Sequence, residues 1–483
     1  MATIDVEQLK RKSIVGVVAL TTRTFILQII AFSATFLLTL FLTPEVFGIF
    51  YVVSAIISFL TYFSDIGLAA ALVQKKEDVS RDDLSTTFTI QQSLVLLLVV
   101  GSLIFSSQIA SFYKLNSAGL WLFRALSISF FLSSLKTIPS VLLERKLAFD
   151  KLVVPQVLET LGFYGVAVVL AWRGFGIESF TWAVLVRGIV GLVAIYIVEP
   201  WMPSWQFSMV SAKHLMRFGI PFQLNSFLAL LKDDLLTVYL GKVLPFSHVG
   251  YIGWAKKWAE VPLRLIMDSV IRVTFPAFSR MQHDKELLVK ALEKTIYGLS
   301  VAILPISAGL LFFVGPMVHV IPRYIKWEPA LVSFYFFVGA AVLAALSTPL
   351  VNAINAVGKI KISLRLMVFW TISTWLLTIT LLPVLKFNGF SVALFIIGCS
   401  LVFVLRETEK IAHIRFWENV RGPVIACAAQ CALYGLLLRF VPVVFPALVL
   451  VGILGVILYV GVIWLVEGPK IGAFVTSMRR SST

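Results

Sequence analysis

The sequence predicts an all-α membrane protein with about fourteen transmembrane helices. Of its 483 residues, 59% are hydrophobic and only 14% are charged. No soluble domain of this size is so apolar, because too little polar surface would be left to face water. Apolar stretches of roughly 20 residues recur from end to end, and each is long enough to cross ~30 Å of hydrocarbon. The basic loops alternate with loops that hold mostly single charges, as the positive-inside rule requires.

Each predicted span is a long apolar stretch bounded by polar segments. Pro155 interrupts the fifth span and a run of charges interrupts the eighth. The spans are expected near 14–40, 46–73, 84–112, 118–142, 152–171, 177–198, 214–241, 247–275, 287–314, 329–356, 362–384, 388–405, 420–439 and 444–466.

The loop charges also predict the orientation of the chain. Basic clusters at 10–12, 75–81 and 145–151 would lie on one side of the membrane, together with the C-terminal pair Arg479 and Arg480. Both termini are therefore expected in the cytoplasm. The net charge of +16 is scattered over short loops, so orientation and contact with anionic membrane lipids explain it better than binding to nucleic acid.

Two weak internal matches predict a duplicated architecture. LTPEVFGIF (42–50) aligns with LPFSHVGYIG (244–253), and RGFGIESF (173–180) aligns with KFNGFSVAL (386–394). Such matches are typical of transporters built from parallel repeats. We expect a six-helix bundle over 1–200, a second six-helix bundle over 201–408, and an additional helix pair with a cytoplasmic tail over 409–483. The segment 199–214, rich in Trp, Phe and Pro, is predicted to be an interfacial linker between the bundles.

The eighth span carries the most informative pattern. Charges recur every fourth residue on one half of the predicted helix, and the other half is apolar. A charge at bilayer depth costs at least ~2.5–3.5 kcal/mol on insertion scales, so these side chains should face protein, water or a charged substrate. The alternative is that opposite charges four residues apart neutralise one another. The residues are Lys256, Lys257, Glu260, Arg264, Asp268 and Arg272.

Enzymatic chemistry has no support in the sequence. The five histidines lack metal-ligand spacing, and no GxGxxG, Walker or nucleophile-elbow motif is present. We expect a transporter that has no catalytic residue, cofactor or metal site.

Three stretches resemble the Wzx-type polysaccharide flippases of the multidrug/oligosaccharidyl-lipid/polysaccharide exporter superfamily. They are TPEVFGIF (43–50), DIGLAAALVQ (65–74), and the region from Asp234 through GYIGWA (250–255) and Pro262 to FPAFSR (275–280). The resemblance implies two pseudo-symmetric bundles in a V around a central cavity, in a bacterial cytoplasmic (inner) membrane. It also implies that the protein translocates a polyprenyl-diphosphate-linked oligosaccharide.

The charges within the predicted spans agree with an anionic substrate. Positive side chains outnumber negative ones there, and the arginine fork matches the oxygens of a diphosphate. Arg23 lies off the polar stripe of the first span, so either the helix bends near Gly16 or Arg23 faces a neighbouring helix. The candidate diphosphate-binding residues are Arg23, Arg124, Arg187, Lys232, Lys256, Lys257 and Arg264.

The acidic candidates suggest ion coupling. Glu159, Asp233 and Asp234 are the expected titrating groups, although Asp233 and Asp234 can instead pair locally with Lys232. Asp65, just before Gly67, is predicted to be a turn residue.

Two further expectations concern Lys136 and the tryptophans beside the charge run. Lys136 is close enough to a helix end to snorkel. Trp254 and Trp258 are candidates for stacking on sugar rings.

Two rival functions stay open at this stage. A cation-coupled multidrug or small-molecule antiporter of the same fold would need an acidic cavity. A membrane glycosyltransferase or polymerase would need a catalytic carboxylate beside a large outer loop, and no outer loop exceeds roughly 15 residues, well short of a domain. The expected partners are the lipid-linked glycan, membrane lipids and a polysaccharide polymerase, and the expected state is monomeric.

Overall fold

The computed structural model describes residues 26–481, apart from some side chains between 222 and 229, between 261 and 273, and beyond 468. All regular elements within this part of the chain are helices, so the predicted all-α class is confirmed. Eleven helical segments among the described residues are long and apolar enough to cross a membrane. Packing divides the chain into two compact units, Met1–Gly250 and Tyr251–Thr483. The repeat boundaries near 200 and 408 stay a prediction.

The first unit is built from ten helices that the structure describes between residues 26 and 250, and from the start of another. They are α1 (Ile26–Phe41), α2 (Pro44–Tyr62), α3 (Leu68–Gln74), α4 (Arg81–Ile104), α5 (Ser106–Tyr113), α6 (Ser117–Ser134), α7 (Thr137–Arg145), α8 (Phe149–Trp172), α9 (Glu178–Val198), α10 (Met209–Val243) and the first turn of α11 (Phe246–Arg280).

The second unit contains the remainder of α11 and seven further α-helices. They are α12 (Lys285–Val320), α13 (Leu331–Ala356), α14 (Ile360–Leu385), α15 (Asn388–Gly398), α16 (Leu401–Glu409), α17 (Phe416–Phe440) and α18 (Phe445–Ser481), with a 3-10 helix at Ile325–Ala330. Glu467 has non-helical backbone angles and kinks α18.

Helix starts are encoded locally by capping residues. Thr43 caps α2 with its side chain and Pro44 occupies the first turn, where the missing proline N–H costs nothing. Ser80 and Asp83 form a reciprocal capping box at the start of α4, which satisfies two backbone donors that the helix leaves unpaired.

Several predicted spans are broken in the structure. The second span is predicted to run to residue 73, but its helix α2 ends at Tyr62. Gly67 then adopts a positive φ of 72° before α3 begins. Asp65 Oδ1 accepts a hydrogen bond of 2.9 Å from the backbone N–H of Leu68, so its predicted role as a turn residue is confirmed. The third, fourth and twelfth predicted spans are each divided into two helices by short breaks.

The predicted number of fourteen spans differs from the eleven apolar segments for identifiable reasons. The first predicted span begins outside the described residues. The seventh and eighth form α10 and α11, each 35 residues long. A helix of that length rises ~50 Å, enough to cross a bilayer, but charges interrupt its apolar run.

Gly48 and Gly250, which align in the predicted repeat, pack against each other's helices within the first unit. A Cβ atom on Gly48 would overlap the carbonyl oxygen of Phe246, and a Cβ on Gly250 would overlap that of Pro44. Only glycine permits two backbones to approach so closely. The contact is reciprocal, because each glycine abuts the residue four positions before the other.

The segment before α10 is extended and fastened to α4. Hydroxyl groups of α4 bond to it at three points, so the segment is ordered without being helical. The bonds join Ser85 to Ser204, Thr89 to the carbonyl of Gln206, and the N–H of Ser208 to Thr86.

Candidate functional site

The first unit encloses a cavity of about 880 Å³. Helices α3, α7, α8, α9 and α10 contribute to its wall, together with the turn before α3 and the end of α6. Its charged lining residues are Asp65, Lys136, Glu144, Glu159 and Arg187. Charged side chains are costly within a membrane protein and are commonly functional there.

An ion pair between Lys136 and Glu159 lies on this wall. Lys136 Nζ is 2.5 Å from Glu159 Oε2, and the two side chains are only 18% and 13% exposed. Lys136 occupies the break between α6 and α7, and its ammonium contacts Glu159 of α8. The prediction that Lys136 snorkels is therefore wrong, because a buried carboxylate offers its ammonium a closer partner.

Gly191 of α9 makes room for this pair. A Cβ atom at position 191 would overlap Glu159 Oε2 and lie 3.0 Å from Lys136 Nζ. The Lys136–Glu159 pair is thus held between α7, α8 and the bare backbone of α9. Sequence reasoning selected Glu159 but missed both Lys136 and Gly191. The signal that could have found Lys136 is that a carboxylate inside an apolar span needs a cation.

The predicted basic residues of the first unit are not gathered at one place. Arg187 is exposed on the cavity wall, with its guanidinium 6.0 Å from the ring centre of Phe163. Arg124 lies outside the cavity lining; its Nε donates to Ser106 Oγ at 3.1 Å and its guanidinium sits 5.2 Å from the ring centre of Trp121. Arg23 lies outside the described residues.

The predicted cluster on α10 is also separate from the cavity lining. Lys232 and Asp234 are half-buried, and Asp233 is exposed. Ser58 Oγ of α2 donates a 2.9 Å hydrogen bond to Asp234 Oδ2. The cluster is therefore fixed partly by packing of α10 on α2.

The charge run predicted for the eighth span lies on α11 in the second unit. Glu260 bonds to Arg264 at 2.9 Å and lies 3.8 Å from Lys256. Arg264 keeps 69% of its side chain exposed, whereas Glu260 is 23% exposed. Lys257 is also exposed. The side chains of Asp268 and Arg272 lie outside the described set.

These contacts bear on both interpretations of the run. Opposite charges do pair at the four-residue spacing, yet the stretch 256–264 holds three basic residues and a single carboxylate. One carboxylate balances one positive charge, so the stretch keeps a positive excess. We call Lys256, Lys257, Glu260 and Arg264 the basic ladder.

The tryptophans beside the basic ladder differ in accessibility. Trp254 is only 3% exposed. It stacks on Trp327 with ring centres 5.4 Å apart and planes 12° apart. The expectation that Trp254 stacks on sugars is therefore wrong, because its ring faces are covered by protein. Trp258 is half-buried.

Comparison with known proteins identifies the family. Residues 37–332 match the family described as polysaccharide biosynthesis protein. The chain belongs to this family. The membership confirms the resemblance drawn from the three sequence stretches, and the match runs through the helices that form both the cavity and the basic ladder.

Two curated relatives illustrate the family. The chain is 28% identical over 282 residues to the succinoglycan biosynthesis transport protein ExoT of Rhizobium meliloti (strain 1021), covering 58% of this chain and 56% of that protein. It is 24% identical over 339 residues to the lipopolysaccharide biosynthesis protein WzxC of Escherichia coli (strain K12), covering 67% of this chain and 66% of that protein. The chain thus aligns with little more than half of the length of the first relative.

Solved structures share the fold. The lipid II flippase MurJ in its inward closed conformation matches with a TM-score of 0.74 at 16% identity, covering 93% of this chain and 99% of that chain. An inward-facing multidrug resistance MATE family transporter of the MOP superfamily matches with a TM-score of 0.61 at 17% identity, covering 82% and 98%. The protein is a multi-pass inner-membrane protein with this superfamily's fold.

Proposed function

We propose that this protein is a flippase that translocates a polyprenyl-diphosphate-linked oligosaccharide across the cytoplasmic membrane by alternating access. It is a transporter and carries out no covalent chemistry. The family supports this proposal, as do its relatives named as a succinoglycan biosynthesis transport protein and a lipopolysaccharide biosynthesis protein. The observation that carries it is the positive excess of the basic ladder near the middle of α11.

The ladder has the chemistry that a diphosphate requires. A lipid-linked diphosphate presents several acceptor oxygens and about two negative charges, and arginine binds such oxygens in a two-pronged geometry. Arg264 is the best-placed arginine because most of its side chain is accessible, and Lys257 adds a second accessible cation. Attraction between these groups and a phosphate is several times stronger in a partly dehydrated site than in bulk water.

The remaining basic candidates are proposed as further contacts along the path of the headgroup. They are Arg23, Arg124, Arg187, Lys232 and Lys256. The prenyl tail stays in lipid while the headgroup moves. We further propose that the protein acts as a monomer with both termini in the cytoplasm and delivers its product to a polysaccharide polymerase.

Return of the empty carrier is proposed to use an ion gradient. Glu159 is a candidate coupling group, because its carboxylate lies on the cavity wall and pairs with Lys136. Asp233 and Asp234 are the alternatives. An imposed pH gradient should accelerate flipping in vesicles containing the wild type and leave the rate of a Glu159→Gln variant unchanged; equal acceleration of both would reject Glu159.

The flippase proposal is tested with the double variant Lys257→Ala/Arg264→Ala. The protein is reconstituted in vesicles with a fluorescent polyprenyl-diphosphate oligosaccharide, and translocation is followed by quenching of the outer-leaflet label. The double variant should lose most of the flipping rate while folding normally.

The matched control is Lys285→Ala/Lys290→Ala at the start of α12, which removes the same charge from another part of the second unit. The control should flip at the wild-type rate. Normal flipping by the Lys257→Ala/Arg264→Ala variant would refute the role of the ladder, and no flipping by the wild type would refute the function.

A further inference from the structure

We infer that the 880 Å³ cavity of the first unit is a sugar-recognition subsite, which binds a neutral, hydroxyl-rich part of the transported glycan. The inference rests on the proposed function and adds to it a sugar-binding role for the first unit.

The cavity offers an unused hydrogen-bonding group. Gln156 of α8 is among its lining residues, and the side-chain oxygen Oε1 is buried with no hydrogen-bond partner among the described residues. A buried acceptor left unpaired is costly. Rotation of the Gln156 amide toward the cavity would bring this oxygen within reach of a ligand hydroxyl, and sugars carry such donors on almost every carbon.

The rest of the polar lining suits the same ligand class. Hydroxyl and amide side chains of Gln74, Ser133, Thr137 and Ser140 share the wall with the charged residues. Hydroxyl and amide groups can each donate and accept hydrogen bonds. A sugar hydroxyl has the same double capacity, so many pairings are possible at once.

The summed charge of the wall disfavours lasting binding of a phosphate here, so Arg187 would contact the headgroup only as it passes. The Lys136–Glu159 pair neutralises itself at 2.5 Å. Beyond that pair the wall carries the carboxylates of Asp65 and Glu144 against the single guanidinium of Arg187. Acidic groups repel an anion and accept hydrogen bonds from hydroxyls. The cavity is thus opposite in electrostatic character to the basic ladder.

Size and apolar surface also fit. The volume lies within the ~300–1,000 Å³ typical of small-molecule sites. Val141, Pro155, Ile195 and Phe218 line part of the wall, and such surfaces can pack against the C–H faces of a sugar ring. A site for a hydrated ion alone would need neither this volume nor this apolar area.

The test compares three lipids with purified full-length protein in nanodiscs. One is a polyprenyl diphosphate without sugar, the second carries a neutral hexose oligosaccharide, and the third carries a uronic acid oligosaccharide. Affinities are measured by calorimetry for the wild type, for Gln156→Leu, and for Gln108→Leu. Gln108 is exposed on α5, outside the cavity lining, and gives the matched control.

The wild type should bind the hexose lipid more tightly than the other two. Gln156→Leu should weaken binding of the hexose lipid about three- to tenfold, the range expected for one lost hydrogen bond. The same variant should leave the affinity for the sugar-free lipid unchanged, and Gln108→Leu should match the wild type with all three lipids.

Three results would overturn the subsite. They are equal wild-type affinity for the hexose and sugar-free lipids, an equal effect of Gln156→Leu on both, and tightest binding of the uronic acid lipid. Failure of the flippase proposal would look different, because the wild type would then bind no lipid diphosphate and the double variant Lys257→Ala/Arg264→Ala would change nothing.

Discussion

The two units hold charge inside the membrane protein in opposite ways. In the first unit Lys136 and Glu159 form a pair at 2.5 Å, with side chains 18% and 13% exposed. In the second unit Glu260 bonds to Arg264 at 2.9 Å, but the arginine is 69% exposed and further cations stand beside it. One arrangement is neutral and enclosed, and the other is positive and accessible.

The difference indicates that the paired charges of the first unit serve stability, whereas the exposed charges of the second unit serve ligand binding. An enclosed pair is costly to break, because either member alone would be a buried, uncompensated charge. An accessible cation surplus contributes little to stability and attracts an anionic ligand. Loss of a single charge should therefore destabilise the first unit and alter binding in the second.

The largest expected effect comes from breaking the Lys136–Glu159 pair. Lys136→Met should lower the free energy of unfolding by about 3–5 kcal/mol, because Glu159 stays buried without its cation. The double variant Lys136→Met/Glu159→Leu should recover most of that loss, since apolar residues can replace a buried pair. Thermal unfolding in detergent measures both.

The matched control for this prediction is Lys290→Met. Lys290 lies 4.0 Å from Glu286 on the exposed start of α12, and its replacement should leave the unfolding midpoint unchanged. If Lys136→Met behaves like this control, the pair is not the enclosed structural element described here.

A smaller effect is expected from Gly191→Ala. The added methyl group would overlap Glu159 Oε2, and a flexible carboxylate can move away at a cost of about 1–3 kcal/mol. Gly165→Ala on α8, where nothing lies within 4 Å of the added atom, is the control and should be neutral or stabilising. The measurement is the thermal unfolding midpoint of the two variants side by side. A Gly191→Ala midpoint at or above that of the control would show that α9 does not confine the Lys136–Glu159 pair.

Glu260→Gln tests the second unit, where loss of a charge should alter binding more than stability. Stability should change by no more than ~1 kcal/mol, because Arg264 is mostly exposed. Affinity for a sugar-free polyprenyl diphosphate should rise several-fold, since the ladder loses its only carboxylate between 256 and 264. Calorimetric titration in nanodiscs measures the affinity, and weaker binding would contradict the assigned role of the ladder.

The smallest effect should come from salt. The screening length falls from ~10 Å at 0.1 M to ~3 Å at 1 M, so binding of the sugar-free lipid at the exposed ladder should weaken. The unfolding midpoint of the Lys136→Met variant relative to the wild type should stay the same, because the pair is enclosed. Equal salt sensitivity of both quantities would remove the distinction between the two units.

Much of the fold could be predicted from hydropathy, because an apolar stretch of membrane length has few alternatives to a helix. The breaks at Phe105 and between Ser134 and Thr137 were not predicted. A break of one or two residues does not lower the mean hydropathy of a long apolar stretch. The turn at Asp65 was predicted because an Asp two residues before a Gly is a local turn signal.

The candidate site was only partly predictable. The spacing of the basic ladder is local to one helix, so pairing of Glu260 with Lys256 and Arg264 could be anticipated. The contact of Lys136 with Glu159 joins different helices, as does the approach of Gly191. No local pattern encodes which helices become neighbours. Trp254 was misjudged for the same reason, because its partner Trp327 is distant in sequence.

The hydrogen bonds between segment 200–208 and α4 determine where the chain can be divided into two separately expressed polypeptides. A cut near 200, at the sequence repeat boundary, would sever a stretch that Thr86 and Thr89 hold in place, and would strip α10 from the bundle it packs in. Genes split between the regions that encode α10 and α11 would keep those bonds on one polypeptide.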